Sequence, residues 1–253
     1  IDLRFCDALS AADAVVTARL VIKETAHAQG MHASFMPKPI EGQPGSAMHV
    51  HQSLFDEHGN AFADANDPDG MGLSSVAKSY IAGLLKYAPE YMLVTNQYVN
   101  SYKRLVPGFD APVLVSWGSR NRSAMVRVPR YKPGKPSSTR IAVRSVDSAA
   151  NPYLAYAAML GAGLKGVEEG LELCAPVEEN LFKLSPAEIA ELGLKYLPRD
   201  LSQAIDEFEK SELMHEILGD VICENLISAK RAEWEEYRAH VSSWEIDRYL
   251  ARL

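Results

Sequence analysis

The pattern of hydrophobic residues changes once along the chain, and this change limits the folds that the sequence can adopt. Between residues 32 and 144 most apolar residues fall in short runs separated by Gly, Pro, Ser and Arg, which is typical of short strands joined by loops. From Asn151 onward they recur at helical spacing. The sequence therefore predicts one α+β domain over residues 1–253, with helices flanking an antiparallel sheet. The predicted strands are 32–36, 46–54, 113–117, 124–128 and 140–144.

Helix starts are marked by residues that cap free backbone groups. A first helix, with Gly30 as its stop, is predicted from apolar residues at helical spacing, namely Leu9, Ala12, Val16 and Leu20. Similar patterns predict helices at 73–87 and 219–240. Asn151 followed by proline predicts a further helix start, and so do the capping boxes that begin at Ser185 and Ser242.

Composition excludes several classes of function. The net charge is -7 and no basic stripe is present, so no nucleic-acid partner is expected. The sequence contains no apolar run of about 18 residues, so no membrane span is expected. Cys6, Cys174 and Cys223 are far apart and form no CxxC pair, which predicts reduced thiols. With no secretion leader after Ile1, these features predict a cytoplasmic protein.

The segment from Met48 to Ser53 carries the sharpest local signal. If it is a strand, His49, His51 and Ser53 lie on one face, with neighbours about 6.6 Å apart. This spacing is too wide for both imidazoles to hold one small ion, but it would let each contact a different part of a metal–phosphate group. A coincidental surface or core pair is the alternative, and nearby carboxylates would favour a metal site.

Arginines are frequent within about forty residues of the strand-rich middle, in a protein that is acidic as a whole, and they include Arg104, Arg120, Arg122, Arg127, Arg140 and Arg144. Because arginine binds phosphate and carboxylate groups in a bidentate manner, this cluster indicates an anionic ligand. Solvated surface charge is the alternative. Strand alternation favours the ligand for Arg140 and Arg144, which share a face while Ile141 and Val143 point to the other.

Two other segments bear on function. The loop 106–112 contains two prolines and a glycine around Asp110, so it presents a carboxylate. Residues 161–166 fit the spelling GxGxxG, but they lie within a predicted helix with no strand before them. A dinucleotide site is therefore not expected there. The sequence also lacks GxxxxGK[ST], so any ATP site is not of the P-loop kind.

Taken in order, these segments resemble the glutamine synthetase family over the whole chain. SFMPKP at 34–39 and GSAMHVHQS at 45–53 resemble the ATP-site signature of that family. NSYKRLVPG at 100–108 resembles its glutamate-flap segment. NRSA at 121–124 and NPYL at 151–154 match two further blocks. The resemblance implies the fold of the family's catalytic domain, in which an antiparallel sheet forms an open, barrel-like site.

The resemblance also implies a reaction. ATP would activate the γ-carboxylate of glutamate as γ-glutamyl phosphate, and ammonia or an amine would displace the phosphate. The implied cofactors are ATP and Mg²⁺ or Mn²⁺, and the implied assembly is a homo-oligomer of stacked rings, a dodecamer. A small amino-terminal domain with further metal ligands is expected to precede this chain. The alternative is a catalytically impaired paralogue that binds nucleotide or serves assembly or regulation.

Residue roles follow from the resemblance by position. The implied metal ligand is His49. The implied ATP contacts are His51, Ser53, Arg127 and Arg140. The implied substrate contacts are Gly45, Arg104, Arg122 and Arg144. The implied catalytic residues are Asp110 and Arg122.

The chain departs from the family pattern at three of its positions. Ala142 stands where the family has a metal-binding glutamate between two arginines, so it offers no oxygen ligand. Asp110 stands where the flap acid is usually glutamate, and a misplacement of about 1 Å can cost on the order of a hundredfold in rate. Phe182 stands where some relatives carry an adenylylated tyrosine, so that modification is not expected.

Overall fold

The structure, a computed structural model, describes residues 1–129 and 135–253, and the helices predicted from the sequence are present close to their predicted positions. The helices are α1 Ala8–Ala28, α2 Ser75–Lys86, α3 Ala88–Thr95, α4 Val99–Arg104, α5 Pro152–Glu168, α6 Pro186–Glu191, α7 Leu201–Glu209, α8 Glu212–Leu218, α9 Asp220–Ala239 and α10 Ser243–Tyr249. Asn151 caps α5, and the capping boxes at Ser185 and Ser242 are present. No helix in the described ranges has both the length and the apolar content that a bilayer crossing requires.

Four short strands form a sheet in the order β1-β6-β5-β4. Its strands are β4 Trp117–Gly118, β5 Val126–Arg127, β6 Ile141–Val143 and β1 Val50–Gln52. A separate hairpin pairs β2 Phe55–Asp56 with β3 Gly59–Asn60. In the part of the chain that the structure describes, the sheets are open and do not close into a barrel.

The prediction of a wholly antiparallel sheet is wrong at one pair. β6 is antiparallel to both β1 and β5, but β4 and β5 run parallel. The segment that connects them, residues 119–125, is held by residues 177 and 178. The backbone amides of Ser119 and Arg120 donate to the Glu178 carboxylate, and the Asn121 amide donates to the carbonyl of Val177.

The predicted strand at 32–36 is also wrong. These residues form no ladder, and two prolines without N–H donors follow at Pro37 and Pro39. The Phe35 carbonyl instead accepts from the Ser148 hydroxyl. The strands predicted at 46–54, 124–128 and 140–144 are present but shorter, whereas the strand predicted at 113–117 shares only Trp117 with β4. Leu114 instead forms an isolated bridge with Tyr196.

The largest helix contact lies between α2 and α5, and glycines allow it. A Cβ on Gly83 would lie 2.3 Å from the Ala162 carbonyl oxygen, and one on Gly166 would lie 2.3 Å from that of Ser79. A Cβ on Gly163 would lie 2.2 Å from the Tyr80 ring. The GxGxxG spelling at 161–166 is therefore a helix-packing pattern, as the absence of a preceding strand predicts.

Candidate active site

Strand register separates an apolar face of the sheet from a polar one. Val50, Val143 and Val126 are paired across β1, β6 and β5, and they pack in or against the main core. The next row along consists of His51, Ala142 and Arg127. Because side chains alternate, this second row lies on the opposite face, with cross-strand neighbours about 5 Å apart. We call it the polar face.

The two histidines of this face lie in a positively charged environment. Arg140 Nε donates to His51 Nδ1 at 3.2 Å, which confirms that these two residues share a face and requires the proton of a neutral His51 to be on Nε2. Desolvation, followed by the charges of Arg140 and Arg127, lowers the pKa of His51. Desolvation, followed by the charges of Arg144 and Arg104, lowers the pKa of His49 to about 4. Near neutral pH, His49 is therefore uncharged.

Arg127 lies on the polar face beside Ala142, and one of its side-chain donors has no acceptor in the part of the chain that the structure describes. Its Nε is buried and has no acceptor among the described residues. A buried donor without a partner costs free energy, so an acceptor supplied by a ligand would be favourable. Phosphate oxygens suit this donor because guanidinium groups bind them strongly.

Arg144 connects the polar face to the loop that carries Asp110. Its Nη1 donates to the Ala124 carbonyl at 3.3 Å and its Nη2 to the Asp110 carbonyl at 3.4 Å. Burial and nearby arginines, including Arg122, lower the pKa of Arg144, whereas the Asp110 charge raises it. Asp110 has a φ of 59° and is exposed, which leaves its carboxylate in solvent. Asp tolerates this left-handed conformation better than most residues.

Arg104 and Gly45 lie together behind this face. Arg104 is only 3% exposed, and both its terminal nitrogens donate to protein acceptors. A Cβ on Gly45 would lie 2.3 Å from the Pro37 carbonyl oxygen and 2.9 Å from Arg104 Cγ, so the close approach requires glycine. Their roles as substrate contacts stay predictions, and the contacts of Arg104 are those of a buried support.

Two predicted site residues, Arg122 and Ser53, have fewer contacts with the rest of the site. Arg122 is exposed and Ser53 is half-buried, with no side-chain hydrogen bond to other members of the set among the described contacts. The structure thus brings together the five residues His49, His51, Arg127, Arg140 and Arg144, with Arg122 and Asp110 near Arg144. Their individual roles stay predictions.

The described residues do not fit a protein-held divalent metal. No group of three His, Cys, Asp or Glu residues within the described ranges is arranged to hold an ion. Ala142 occupies the centre of the polar face without an oxygen ligand, and His49 lies among arginine charges that repel cations. The same face suits phosphate and carboxylate groups.

Sequence reasoning missed Asp147, whose buried carboxylate accepts from Arg104 Nη1 at 2.9 Å. The signal for it was weak. An acid three positions beyond Arg144, at the end of an apolar strand, indicates a buried charge that needs a partner, but the sequence does not say which arginine supplies it.

Comparison with known proteins identifies the family of the chain. Residues 1–249 match the family model described as "Glutamine synthetase, catalytic domain". The chain is 53% identical over 251 residues to a glutamine synthetase of Mycolicibacterium smegmatis, covering 99% of this chain and 56% of that protein. It is 47% identical over 253 residues to one of Methanosarcina mazei, covering 100% and 56%.

A solved structure described as "GmaS/ADP complex-Conformation 1" superposes with a TM-score of 0.86 at 31% identity, over 98% of this chain and 56% of that one. The chain therefore spans about 56% of the length of these relatives. The family model, the sequence identity and the fold agree: the chain belongs to the glutamine synthetase family, and residues 1–249 match the catalytic domain of that family.

Proposed function

We propose that the polypeptide containing this chain is an ATP-dependent ligase that joins the γ-carboxylate of glutamate to ammonia or an amine through γ-glutamyl phosphate. The observation that carries the proposal is the polar face, where Arg127, Arg140 and Arg144 lie together beside two histidines. The family and the relative solved with ADP support nucleotide as its ligand.

The chain's own residues suit the needs of phosphoryl transfer. Charge on the transferring group is stabilised by fixed donors that require no reorganisation, and the buried Nε of Arg127 is such a donor. Arg144 is placed to bind a carboxylate next to the Asp110 loop. That loop would exclude water from a hydrolysable acyl phosphate.

The test uses the full-length polypeptide in which this chain occurs. ATP- and glutamate-dependent phosphate release is measured with ammonia, with a monoamine and with a polyamine as acceptors. Arg127→Gln should lower this rate by roughly a hundredfold, as the loss of one preorganised donor does. Arg199→Gln is the control, because Arg199 stacks on Tyr196 at 4.0 Å and belongs to none of the predicted site residues. Equal rates in the two variants would contradict the proposal.

Ala142 favours a second candidate, a catalytically impaired paralogue that binds nucleotide. Position 142 faces His51 and Arg127 but supplies no oxygen for a metal. Nucleotide binding by the unaltered protein without phosphate release for any acceptor would support this candidate over the ligase.

We also propose a homo-oligomer of stacked rings, a dodecamer, located in the cytoplasm. Family membership supports the assembly, and mass photometry of the full-length polypeptide tests it. A monomer at micromolar concentration would contradict the proposed assembly.

Fractionation of the source cells tests the proposed cytoplasmic location.

A further inference from the structure

Asp147 is a buried carboxylate that connects to the candidate active site but belongs to none of its assigned groups. Its side chain is 0% exposed, and its Oδ2 has no partner among the described residues. Burial raises the pKa of Asp147 to about 6 although Arg104 lies beside it. A charge buried at this cost, next to a cleft, is a candidate for a functional role.

Arg104 links the Asp147 carboxylate to the main chain of Arg144. Its Nη1 donates to Asp147 Oδ1 at 2.9 Å and to the Ser145 carbonyl at 2.7 Å, and its Nη2 donates to the Arg144 carbonyl at 2.9 Å. A guanidinium is planar and rigid, so fixing one of its ends fixes the other. The pair therefore holds the main chain just after β6.

Other contacts fix Asp147 itself. Its backbone amide donates to the Thr95 carbonyl at 3.1 Å, and it forms an isolated bridge with Ala47 shortly before β1. The Asn96 amide donates to the Ser145 carbonyl at 2.9 Å. The main chain at Asp147 is thus anchored to the end of α3 and to the segment that carries the histidines.

The side chain of Arg144 depends on this anchoring. Its hydrogen bonds to the Ala124 and Asp110 carbonyls are long, at 3.3 and 3.4 Å. Arg144 is only 7% exposed, so its side chain is packed, and a shift of its backbone would be passed on to the guanidinium. That backbone is tied to Arg104 on one side and to the Met125 carbonyl on the other.

We propose that Asp147 is a positioning residue for the ligase reaction: through Arg104 it fixes the main chain of Arg144, and so places the Arg144 guanidinium and the loop that carries Asp110. The inference rests on the proposed function, in which Arg144 binds the substrate carboxylate. A merely structural pair is the competing account, and the two differ in what happens to glutamate binding.

The test compares Asp147→Asn with Asp67→Asn in the full-length polypeptide. Asp67 is the matched control, since its side chain is also buried in an ion pair, with Lys78 at 2.7 Å, and has no described contact with the polar face. Asp147→Asn should raise the KM for glutamate by about tenfold and leave the KM for ATP within about twofold. Asp67→Asn should leave both KM values unchanged. A lowered thermal midpoint in Asp147→Asn with an unchanged glutamate KM would overturn the proposal.

A second variant covers failure of Asp147→Asn to fold. Arg104→Lys keeps a positive charge beside Asp147, but it replaces the rigid guanidinium that joins this carboxylate to the Arg144 carbonyl with a single ammonium on a flexible stem. The glutamate KM should rise as it does in Asp147→Asn. An unchanged KM in a folded Arg104→Lys protein would show that charge neutralisation is all that the pair provides.

Hydrogen–deuterium exchange separates this inference from the proposed function. If the unaltered protein shows no glutamate-dependent turnover, the ligase proposal fails, while the positioning link can still be measured. Asp147→Asn, or Arg104→Lys in its place, should accelerate exchange in peptides covering both 140–147 and 104–112, and Asp67→Asn should accelerate neither. Faster exchange at 140–147 with no change at 104–112 would overturn the link to the Asp110 loop.

Discussion

The α2–α5 interface and the polar face of the sheet are built on opposite principles. At the interface, glycines bring two backbones together, with Gly83 against Ala162 and Gly166 against Ser79. On the polar face, basic groups crowd together and Arg127 Nε has no described acceptor. The comparison indicates that close packing stabilises the fold in the helices, while the sheet carries unbalanced charge that an anionic ligand would relieve.

Gly166→Ala should have the largest effect of the changes considered, and it tests the helical half of the comparison. The new Cβ would meet backbone atoms of Ser79 and Gly83, which cannot move without separating the helices. We expect the free energy of unfolding to fall by about 3 kcal/mol. Urea denaturation measures it.

Gly161→Ala is the matched control in the same helix. Its Cβ would meet side-chain atoms of Ile217, with Cδ1 at 2.3 Å and Cγ1 at 2.7 Å, and the nearest atoms include no backbone, so one side chain can shift without separating the helices. Relief of the glycine penalty in a helix, about 1 kcal/mol, offsets part of the cost. Equal losses in the two variants would show that the close backbone approach is not what limits substitution.

Ala142→Glu tests the polar half of the comparison. The new carboxylate would lie between His51 and Arg127, so its charge should be tolerated and could serve as a metal ligand. We expect ATP- and glutamate-dependent phosphate release to rise at least about tenfold, or about 1.4 kcal/mol in activation free energy. Ala142→Gln controls for size without charge.

The assay of Ala142→Glu must use both ammonia and polyamines as acceptors. If no acceptor shows a gain in a variant that folds and binds ATP, Ala142 is not the limiting departure from the family. Attention would then move to the shorter flap acid Asp110, or to a function without turnover.

The unaltered protein should bind Mn²⁺ or Mg²⁺ weakly in the absence of nucleotide. The described residues offer His49 no carboxylate partner, and the neighbouring arginines repel a cation. Calorimetric titration with and without ATP measures this, and ATP should strengthen binding by bringing its own oxygens. Tight binding without nucleotide would reveal a protein ligand beyond those described.

Local signals in the sequence predicted much of the helical framework. Asn151 and the serines that start capping boxes accept hydrogen bonds from backbone groups two or three residues away. A short stretch of sequence is therefore enough to predict where these helices begin. Strand parity likewise placed His51 and Arg140 on one face, as their hydrogen bond confirms. Both signals depend on nearest neighbours along the chain.

The parts that sequence reasoning missed depend on distant contacts. The parallel pairing of β4 and β5 is accompanied by contacts of their connection with Glu178, about sixty residues away. The burial of Arg104 follows from Asp147, 43 residues further on. Neither partner can be identified from composition or spacing, because several arginines and acids fit each pattern equally well.

The smallest effect that we expect is on the pKa of His49, which depends on the positive charge of the polar face. Partial burial is the largest cause of its fall to about 4, and Arg144 is the next. In the unfolded chain His49 is protonated below about pH 6.5, whereas in the folded chain it is protonated only below about pH 4. Protonation therefore favours the unfolded chain, and His49 lowers the free energy of unfolding as the pH falls between these two values. NMR titration of the ring protons should give a midpoint near 4. Arg144→Gln should raise it only partly, since burial remains, whereas Arg199→Gln should leave it in place. A midpoint that does not move in Arg144→Gln would show that the arginine charge does not reach His49, and that the polar face is less electropositive than its geometry indicates.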